Sequence, residues 1–210
     1  MSKKLIVIGG VAAGMSAASK ARRTDPDLDI TVYTDDEYIS YAGCGLPYFI
    51  GGHVPSKEDL IARTVEEFKK QNITVHTLSR VEAIQPENKT ISIRDLQKDT
   101  VFEDRYDKLV IATGARALVP PLDGLDQKGV FSLRTIKDSL DIKEFVKTAK
   151  PSNIVIVGGG YIGLEMVENF LNLGCQITVV EKAPHIIPNM DPDMAEVVHK
   201  YLVNKGVDIY

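Results

Sequence analysis

The chain has 210 residues, of which 44% are hydrophobic and 26% are charged, and its formal net charge is −4. These proportions are typical of a globular protein with one large domain or two small ones. Acidic and basic residues are interleaved, so no basic block predicts nucleic-acid binding. No apolar run reaches the ~20 residues that span a bilayer, and the opening MSKKLIVIGG lacks signal-peptide features, which predicts a cytoplasmic protein.

The chain contains two cysteines, Cys44 and Cys175, and four histidines. Two cysteines so far apart do not indicate a framework of structural disulfides. The histidines are scattered without the spacing of metal ligands, so no metal is predicted.

The first predicted unit begins with the apolar segment KLIVI at 4–8, which is typical of a central strand in a parallel sheet. A glycine-rich turn follows, then an amphipathic helix to about Arg23, and then a second strand at 29–33. In a dinucleotide-binding unit, the glycines of such a turn allow the backbone and the helix N-terminus to approach a pyrophosphate. This pattern therefore predicts a nucleotide-binding βαβ unit.

The first glycine turn departs from the ideal pattern at two positions. Val11 stands where the middle glycine is expected, and Thr34 stands where an acidic residue would bind the ribose, with Asp35 and Asp36 just after it. An ordinary βαβ unit without a nucleotide therefore stays open for this copy.

The next segment, SYAGCGLPY at 40–48, places Cys44 between two glycines. Taken alone, it fits either a buried, inert cysteine or a sulfur presented for chemistry.

Ser56 and Asp59 then predict a capping box and a helix to about Gln71. Four alternating segments follow and predict a small antiparallel meander, namely 73–78, 80–85, 89–94 and 101–106.

The second half of the chain begins with an apolar strand, LVI at 109–111, that runs into Ala-Thr-Gly. Residues 117–130 are rich in proline, glycine and aspartate and predict a connector, with a helix near 135–149 after it. The segment NIVIV at 153–157 then repeats the strand that precedes a glycine turn.

The second glycine turn matches the dinucleotide pattern fully. Gly158, Gly160 and Gly163 are in register, a helix to about Leu173 follows, and a strand at 176–180 ends at Glu181, where the ribose acid is expected. Two dinucleotide units in one chain suggest a flavin and a nicotinamide, because one accepts hydride from the other.

The final segment predicts a helix capped by Asp191, with Pro192 at its first position, that runs to about Asn204. Residues 207–210 begin a third strand of the second unit. An open parallel sheet needs more strands than this to cover its helices, so we expect the chain to be a fragment of a longer protein.

Five motifs carry a family resemblance: GGVAAGMSAA, SYAGCGLPY, LVIATGA, GGGYIGLE and VVEK, in this order. Together they resemble the FAD-dependent pyridine nucleotide-disulfide oxidoreductases. Within that family the chain is most similar to the single-cysteine branch of coenzyme A-disulfide reductases, NADH oxidases and NADH peroxidases.

The resemblance implies a fold and a domain organisation. The fold is α/β, with two Rossmann-like dinucleotide-binding units of the glutathione-reductase-like FAD/NAD(P) type; the first carries an inserted antiparallel β-meander and the second is incomplete. Residues 1–116 would form the first segment of the FAD-binding domain, 117–150 a connector and helix, and 151–210 the N-terminal part of the NAD(P)H-binding domain. A homodimer is implied for the full-length protein.

The resemblance also implies residues that bind the two cofactors. The FAD would contact Gly9, Val11, Ala12, Ala13, Gly14, Thr34, Val81, Ala112, Thr113 and Gly114, with Asp35 as a substitute for the missing ribose acid. Gly158, Gly160, Gly163 and Glu181 would hold the NADH, Glu165 would lie near the nicotinamide, and Ile162 is also expected to bind a cofactor. Tyr161 resembles the residue that covers the flavin until nicotinamide displaces it, and Lys182 beside Glu181 leaves NADPH open.

Cys44 is implied as the redox residue, with Ser40 as a hydrogen-bonding neighbour. Family members with a cysteine pair carry the second cysteine five residues later, and here that position is Phe49. The oxidised form would therefore be a sulfenic acid or a mixed disulfide with a small thiol, and the reaction needs a thiolate.

Pro47-Tyr48 after the cysteine is similar to the coenzyme A-disulfide reductase signature. Arg22 and Arg23, and less directly Lys70, would then bind the phosphates of the substrate. The alternative for the arginine pair is a purely electrostatic preference for cations at a helix C-terminus.

Three functions therefore stay open. The first is an NAD(P)H-dependent flavoenzyme that reduces coenzyme A disulfide or a related persulfide. The second is an NADH oxidase or peroxidase that uses a Cys44 sulfenic acid. The third is an FAD-binding fragment without turnover.

Overall fold

The structure, a computed structural model, describes residues 2–210. The strands are β1 (Lys4–Ile8), β2 (Asp29–Tyr33), β3 (Ile73–His76), β4 (Ser79–Gln85), β5 (Thr90–Asp95), β6 (Thr100–Arg105), β7 (Lys108–Ile111), β8 (Asn153–Val157), β9 (Gln176–Val180) and β10 (Asp208–Ile209). The helices are α1 (Ala12–Thr24), α2 (Leu46–Ile50), α3 (Val65–Lys70), α4 (Ile136–Ala149), α5 (Tyr161–Asn172) and α6 (Pro192–Asn204). No helix in the described range is both long and apolar enough to cross a membrane.

The chain forms two compact units. The first comprises residues 2–42 and 58–116, and the second comprises residues 43–57 and 117–210. The segment that carries Cys44 therefore packs with the second unit, together with the connector and α4. The functional assignment of the ranges 1–116, 117–150 and 151–210 stays a prediction.

The first unit is built on a four-stranded parallel sheet with the strand order β3-β2-β1-β7. Strand β1 alternates its side chains between two cores, as the period of a strand requires. Leu5 and Val7 pack in the core that includes Met15 of α1, while Ile6 packs in the core that includes Ile91 of β5. Because both faces are covered, the strand can be apolar throughout.

The second unit is built on a three-stranded parallel sheet with the strand order β10-β9-β8. Ile177 and Val179 of β9 are buried with Val167 and Phe170 of α5 in one core. The opposite face of β8 differs from that of β1, since Val155 is 62% exposed. The α/β fold predicted from the sequence, with two such parallel sheets and an antiparallel meander, is confirmed.

The predicted helix from Ser56 to Gln71 is wrong in its first half. Residues 57–60 form a 3-10 turn, and the backbone of Tyr41 and Ile61 forms an isolated antiparallel bridge. The α-helix begins only after Thr64, which forms a capping box with Glu67. The bridge at Ile61 requires extended backbone, which a continuous helix cannot supply.

The predicted four-segment meander is also corrected. Strands β4, β5 and β6 form an antiparallel sheet, whereas β3 pairs in parallel with β2 in the main sheet. The reason is topological: β3 follows α3, and a strand that follows a crossover helix joins its sheet in parallel.

We expect the Thr64→Ala substitution to destabilise the protein by about 1 kcal/mol, because it removes the helix cap. The Thr64 hydroxyl accepts a hydrogen bond from the Glu67 N–H at 3.3 Å, and the Glu67 carboxylate accepts one from the Thr64 N–H at 2.7 Å. Urea unfolding followed by circular dichroism measures the change. Thr64→Ser is the matched control and retains the cap; equal losses in the two variants would contradict this account.

Candidate functional site

The first glycine turn connects β1 to α1 at the carboxyl end of the sheet. Gly9 has a φ of +115°, and its N–H donates to the Tyr33 carbonyl at 2.8 Å. A Cβ added to Gly14 would run into the Gly9 carbonyl oxygen. Helix α1 can therefore approach the strand closely only because both positions are glycine. Val11 is the N-cap of α1, and its side chain makes no capping hydrogen bond.

The end of β7 also lies beside this turn. The Ala112 N–H after β7 donates to the Ile8 carbonyl at 2.8 Å, and a Cβ on Gly9 would collide with the Ala112 carbonyl. Thr113 and Gly114 follow Ala112 directly. Val81 lies in β4, half-buried against the core between the sheet and the meander.

In the first unit, the position where a ribose-binding acidic residue is expected is occupied by a buried threonine. Thr34 is buried, and its γ-methyl lies 2.8 Å from the place that a Cβ on Gly10 would occupy. Asp35, the predicted substitute, is exposed and forms a 3.4 Å ion pair with Arg80. An exposed pair of this kind is weak, so the carboxylate of Asp35 can exchange it for another partner.

The second glycine turn repeats the main backbone contacts of the first. The Gly158 N–H donates to the Val180 carbonyl at 2.8 Å, its φ is +104°, and a Cβ on Gly163 would collide with the Gly158 carbonyl. Gly160 takes the place of Val11 as the N-cap. Added Cβ atoms on Gly158 and Gly160 would meet nothing within 4 Å. The turn therefore has room for a ligand that touches its backbone.

Glu181 follows β9 and binds the glycine turn directly. Its carboxylate accepts a hydrogen bond from the Ala183 N–H at 2.7 Å and another from the Gly159 N–H at 2.6 Å. These two N–H groups lower the pKa of the Glu181 carboxyl from its usual 4.5. The carboxylate is therefore ionised at neutral pH, and it retains acceptor capacity for a sugar hydroxyl.

The remaining predicted residues of the second unit lie at the start of α5 and after β9. Tyr161 and Ile162 form the first turn of α5 and are more than half exposed. Glu165 is half-buried one turn further on, and Lys182 is exposed. These side chains are available at the same end of the sheet as the glycine turn.

A cleft of about 430 Å³ lies beside the first glycine turn. Val11 and Ala12 of the turn line it, together with Ser40, Arg23 and Arg63, and no acidic residue does. Ser40 has a φ of +50°, a left-handed conformation that is uncommon for serine and is typical of functional sites. Its N–H donates to the Gly10 carbonyl at 2.8 Å, which fixes it to the turn. The two arginines make the cleft suited to an anion.

The structure separates the two predicted arginines. Arg23 lines the cleft, whereas the guanidinium of Arg22 donates to the carbonyls of Pro26 and Asn72, each at 2.6 Å. Arg22 therefore ties the end of α1 to the loop before β3. Lys70 is exposed in the last turn of α3 and does not line the cleft.

Cys44 lies in a 3-10 turn of the second unit formed by Gly43–Gly45, directly before α2. It is exposed, whereas Phe49, at the position of the second cysteine of the paired branch, is buried in α2. The other thiol, Cys175, is buried and donates to the Pro151 carbonyl at 3.3 Å, and burial raises its pKa. Cys44 is therefore the thiol that can react with an external molecule.

Comparison with known proteins decides the family. A family model described as pyridine nucleotide-disulphide oxidoreductase matches residues 3–210. The chain belongs to this family. It is 38% identical over 208 residues to an NADH oxidase of Methanocaldococcus jannaschii, and 36% identical over 206 residues to a coenzyme A disulfide reductase of Staphylococcus haemolyticus. Each match covers 98% of this chain and 46% of the relative, so the chain spans about half the length of these relatives.

A solved structure agrees with this assignment. The reduced CoADR-RHD of Bacillus anthracis superposes with a TM-score of 0.97 and 38% sequence identity, covering 100% of this chain and 38% of that one. The family predicted from the five motifs, and the resemblance to its coenzyme A disulfide reductase and NADH oxidase members, are therefore confirmed. The roles of individual residues stay predictions.

Sequence reasoning missed several residues of this pyridine nucleotide-disulphide oxidoreductase. Arg63 was assigned to the interior of a helix, although Thr64 and Glu67 form the better capping signal and place Arg63 before it. Asn169 is a polar residue in the buried face of α5, and Lys143 lies on α4; both contact the segment that follows Cys44. In the sequence, Asn169 could have been noticed as a polar residue on the otherwise apolar face of the predicted helix that carries Met166 and Phe170.

The lowered pKa of Glu181 predicts a pH dependence of stability. A carboxyl whose folded pKa lies below its unfolded value stabilises the protein above about 4.5 and loses this contribution as pH falls through the folded pKa. We expect Glu181→Gln to reduce the loss of stability on acidification below pH 4.5, as measured by thermal unfolding across pH. Glu168→Gln, an exposed carboxyl on α5, is the control. Identical pH profiles for Glu181→Gln and the unchanged protein would refute the assignment.

Proposed function

We propose that this chain forms the flavin- and nicotinamide-binding part of an oxidoreductase in which electrons pass from NAD(P)H through FAD to a redox-active Cys44. The reaction reduces coenzyme A disulfide or a related disulfide or persulfide. The single observation that carries the proposal is the combination of two glycine turns of the same geometry with one exposed cysteine, in a chain with no second cysteine positioned beside it.

Both glycine turns fit the pyrophosphate of a dinucleotide. Gly14 in the first unit and Gly163 in the second allow the helix to pack closely against the preceding strand. The free N–H groups at the helix N-terminus then favour an anion. When bound, FAD and NAD(P)H together supply hydride transfer, which the side chains of this protein cannot perform alone. Ala112, Thr113 and Gly114 would line the flavin, Tyr161 would cover it until the nicotinamide displaces it, and Glu165 would lie near the nicotinamide.

Glu181 gives the second unit a preference for NADH. Its ionised carboxylate would accept hydrogen bonds from ribose hydroxyls and would repel the additional phosphate of NADPH. The neighbouring Lys182 is exposed and offers a counter-charge, so NADPH stays a secondary donor.

Cys44 reacts as a thiolate with an external disulfide. The thiolate attacks one sulfur, the S–S bond of the substrate breaks, and one thiolate leaves while a mixed disulfide forms on Cys44. Two electrons that originate from NAD(P)H then cleave the mixed disulfide, restore the Cys44 thiolate and release the second thiol after protonation. One disulfide, one NAD(P)H and one proton thus yield two thiols and NAD(P)⁺.

The cleft beside the first glycine turn supports a substrate that carries phosphates. Arg23 and Arg63 line it without an opposing acid, and Ser40 adds a hydroxyl. Guanidinium groups bind phosphate oxygens in a bidentate manner. The names of the Staphylococcus haemolyticus and Bacillus anthracis proteins point to coenzyme A, a thiol that carries such phosphates.

A second candidate is an NADH oxidase or peroxidase, which the name of the Methanocaldococcus jannaschii relative favours. In its peroxidase form, the Cys44 thiolate attacks a peroxide oxygen, one water leaves, and a sulfenate forms. Two electrons from NADH reduce the sulfenate and release the second oxygen as water. This candidate uses the same cysteine but needs no phosphate-binding cleft.

We expect Cys44→Ser to reduce disulfide-dependent NADH oxidation at least ~100-fold, because the nucleophile is removed. Cys175→Ala should retain turnover, since that thiol is buried.

Denaturing mass spectrometry of the flavin-loaded protein separates the two candidates. A coenzyme A adduct on Cys44 supports the disulfide reaction, whereas a trapped sulfenic acid without an adduct supports the peroxidase. Full turnover by Cys44→Ser would exclude both, and binding of FAD without any turnover would leave a cofactor-binding fragment.

We expect Arg23→Ala to raise the KM for coenzyme A disulfide roughly 10- to 150-fold, the range for losing one hydrogen bond to a charged group. Turnover of a small uncharged disulfide should not change, because that substrate has no phosphate. Arg22→Ala is the matched control: we expect it to lower thermal stability and leave this KM unchanged, since Arg22 binds two backbone carbonyls. An equal effect of Arg23→Ala on both substrates would argue against phosphate recognition.

A further inference from the structure

We propose that Lys143 of α4 and Asn169 of α5 are positioning residues that hold the Cys44 segment, residues 43–53, in a fixed orientation. The proposal rests on the proposed function only in taking Cys44 as the redox residue. All of the residues involved belong to the second unit.

Cys44 begins a short, continuous helical segment. The 3-10 turn Gly43–Gly45 leads directly into α2, whose side chains Leu46, Phe49 and Ile50 are buried. Ile50 packs in the core of the second unit. Apolar burial holds this segment down but is non-directional, so it does not by itself fix how the segment is rotated or shifted. Directional contacts are needed for that.

Lys143 supplies the first directional contact. Its ammonium donates to the Phe49 carbonyl at 2.7 Å and lies 3.8 Å from the centroid of the Phe49 ring. Phe49 is in the last turn of α2, and its carbonyl also accepts from the Gly52 N–H at 3.3 Å, so the ammonium binds the second lone pair of this oxygen. Burial lowers the pKa of Lys143, and such a cost is tolerated where the ammonium finds a defined partner. The contact therefore fixes the end of α2 against α4.

Asn169 supplies the second contact from a different helix. Its side chain is 0% exposed, its amide donates to the Glu165 carbonyl at 2.8 Å, and its Oδ1 lies 3.2 Å from Nδ1 of His53. A buried amide within a helix is costly unless its polar atoms are paired, and here one of the pairs reaches into the Cys44 segment. Asn169 thereby joins that segment to the helix that begins at the second glycine turn.

Gly51 shows how closely the segment approaches α5. A Cβ on Gly51 would lie 2.7 Å from Cγ of Asn169 and 2.9 Å from its Cβ. The φ of Gly51 is −70°, which suits any residue, so glycine is needed here for space and not for backbone freedom. The Cys44 segment is thus held by a hydrogen bond to α4 and by a close polar contact with α5.

The test uses Lys143→Met and Gly51→Ala in the flavin-loaded protein. The first removes the hydrogen bond to Phe49, and the second pushes the segment away from Asn169 without a backbone penalty. Two measurements report on the segment: amide hydrogen exchange over residues 46–53, and the rate at which iodoacetamide alkylates Cys44, with Cys175 as the internal reference. Lys147→Met, an exposed lysine one turn further along α4, is the matched control.

We expect both variants to accelerate amide exchange in residues 46–53 at least ~3-fold, because Lys143→Met loses a hydrogen bond and Gly51→Ala disturbs the packing against Asn169. The alkylation rate of Cys44 should change at least ~3-fold, and kcat for the disulfide should fall while its KM is unchanged. Lys143→Arg should restore all three values, because a guanidinium can donate to the carbonyl and stack on the ring. Lys147→Met should change none of them.

Faster exchange with unchanged Cys44 alkylation and unchanged kcat would overturn the proposal, since the contacts would then be merely structural. Unchanged exchange in both variants would overturn it as well. If Lys143→Met does not fold, Gly51→Ala carries the test alone. Failure of the proposed function is a separate outcome: turnover that survives Cys44→Ser would reject Cys44 as the redox residue whatever the alkylation rates show.

Discussion

The close approach of a helix to the strand before it is the constraint on which both units depend. At Gly14 and again at Gly163, an added Cβ would strike the carbonyl of the glycine that ends the strand. Removing that atom lets the helix N-terminus point its free N–H groups over the carboxyl end of the sheet. The chain uses this arrangement twice, and the neighbouring groups differ: a buried Thr34 follows β2, whereas an ionised Glu181 follows β9. The same backbone arrangement is therefore followed by two chemically different side chains.

The placement of the two thiols follows from their surroundings. Cys175 lies in the apolar core of the second unit, where burial raises its pKa and its sulfur donates to a carbonyl. Cys44 is exposed between two glycines at the start of a helical segment whose far end is fixed by Lys143 and Asn169. Phe49 occupies the position that a second cysteine takes in the paired branch, and its ring and carbonyl contact Lys143. The position that serves as a redox partner in the paired branch thus contributes to anchoring here.

The local sequence pattern was sufficient to predict those strands whose conformation does not depend on distant residues. The strands at 4–8, 29–33, 153–157 and 176–180 were predicted with their observed bounds, because short apolar runs rich in β-branched residues favour a buried strand. The helix predicted from Ser56 failed, since the backbone of residue 61 is committed to a bridge with Tyr41, some twenty residues earlier. Strand β3 was placed in the wrong sheet for the same reason: its partner β2 is distant in sequence.

Residue identity at short, fixed spacing was enough to predict the family, the two glycine turns, the motif around Cys44 and the acidic residue at Glu181. Only the tertiary structure distinguished Arg23, which lines a cleft, from Arg22, which binds the carbonyls of Pro26 and Asn72. It alone brought Arg63 to that cleft and Lys143 and Asn169 to the Cys44 segment. The contacts of Lys143 and Asn169 join residues 94 and 116 positions apart, and their formation depends on how helices pack, which local spacing does not encode.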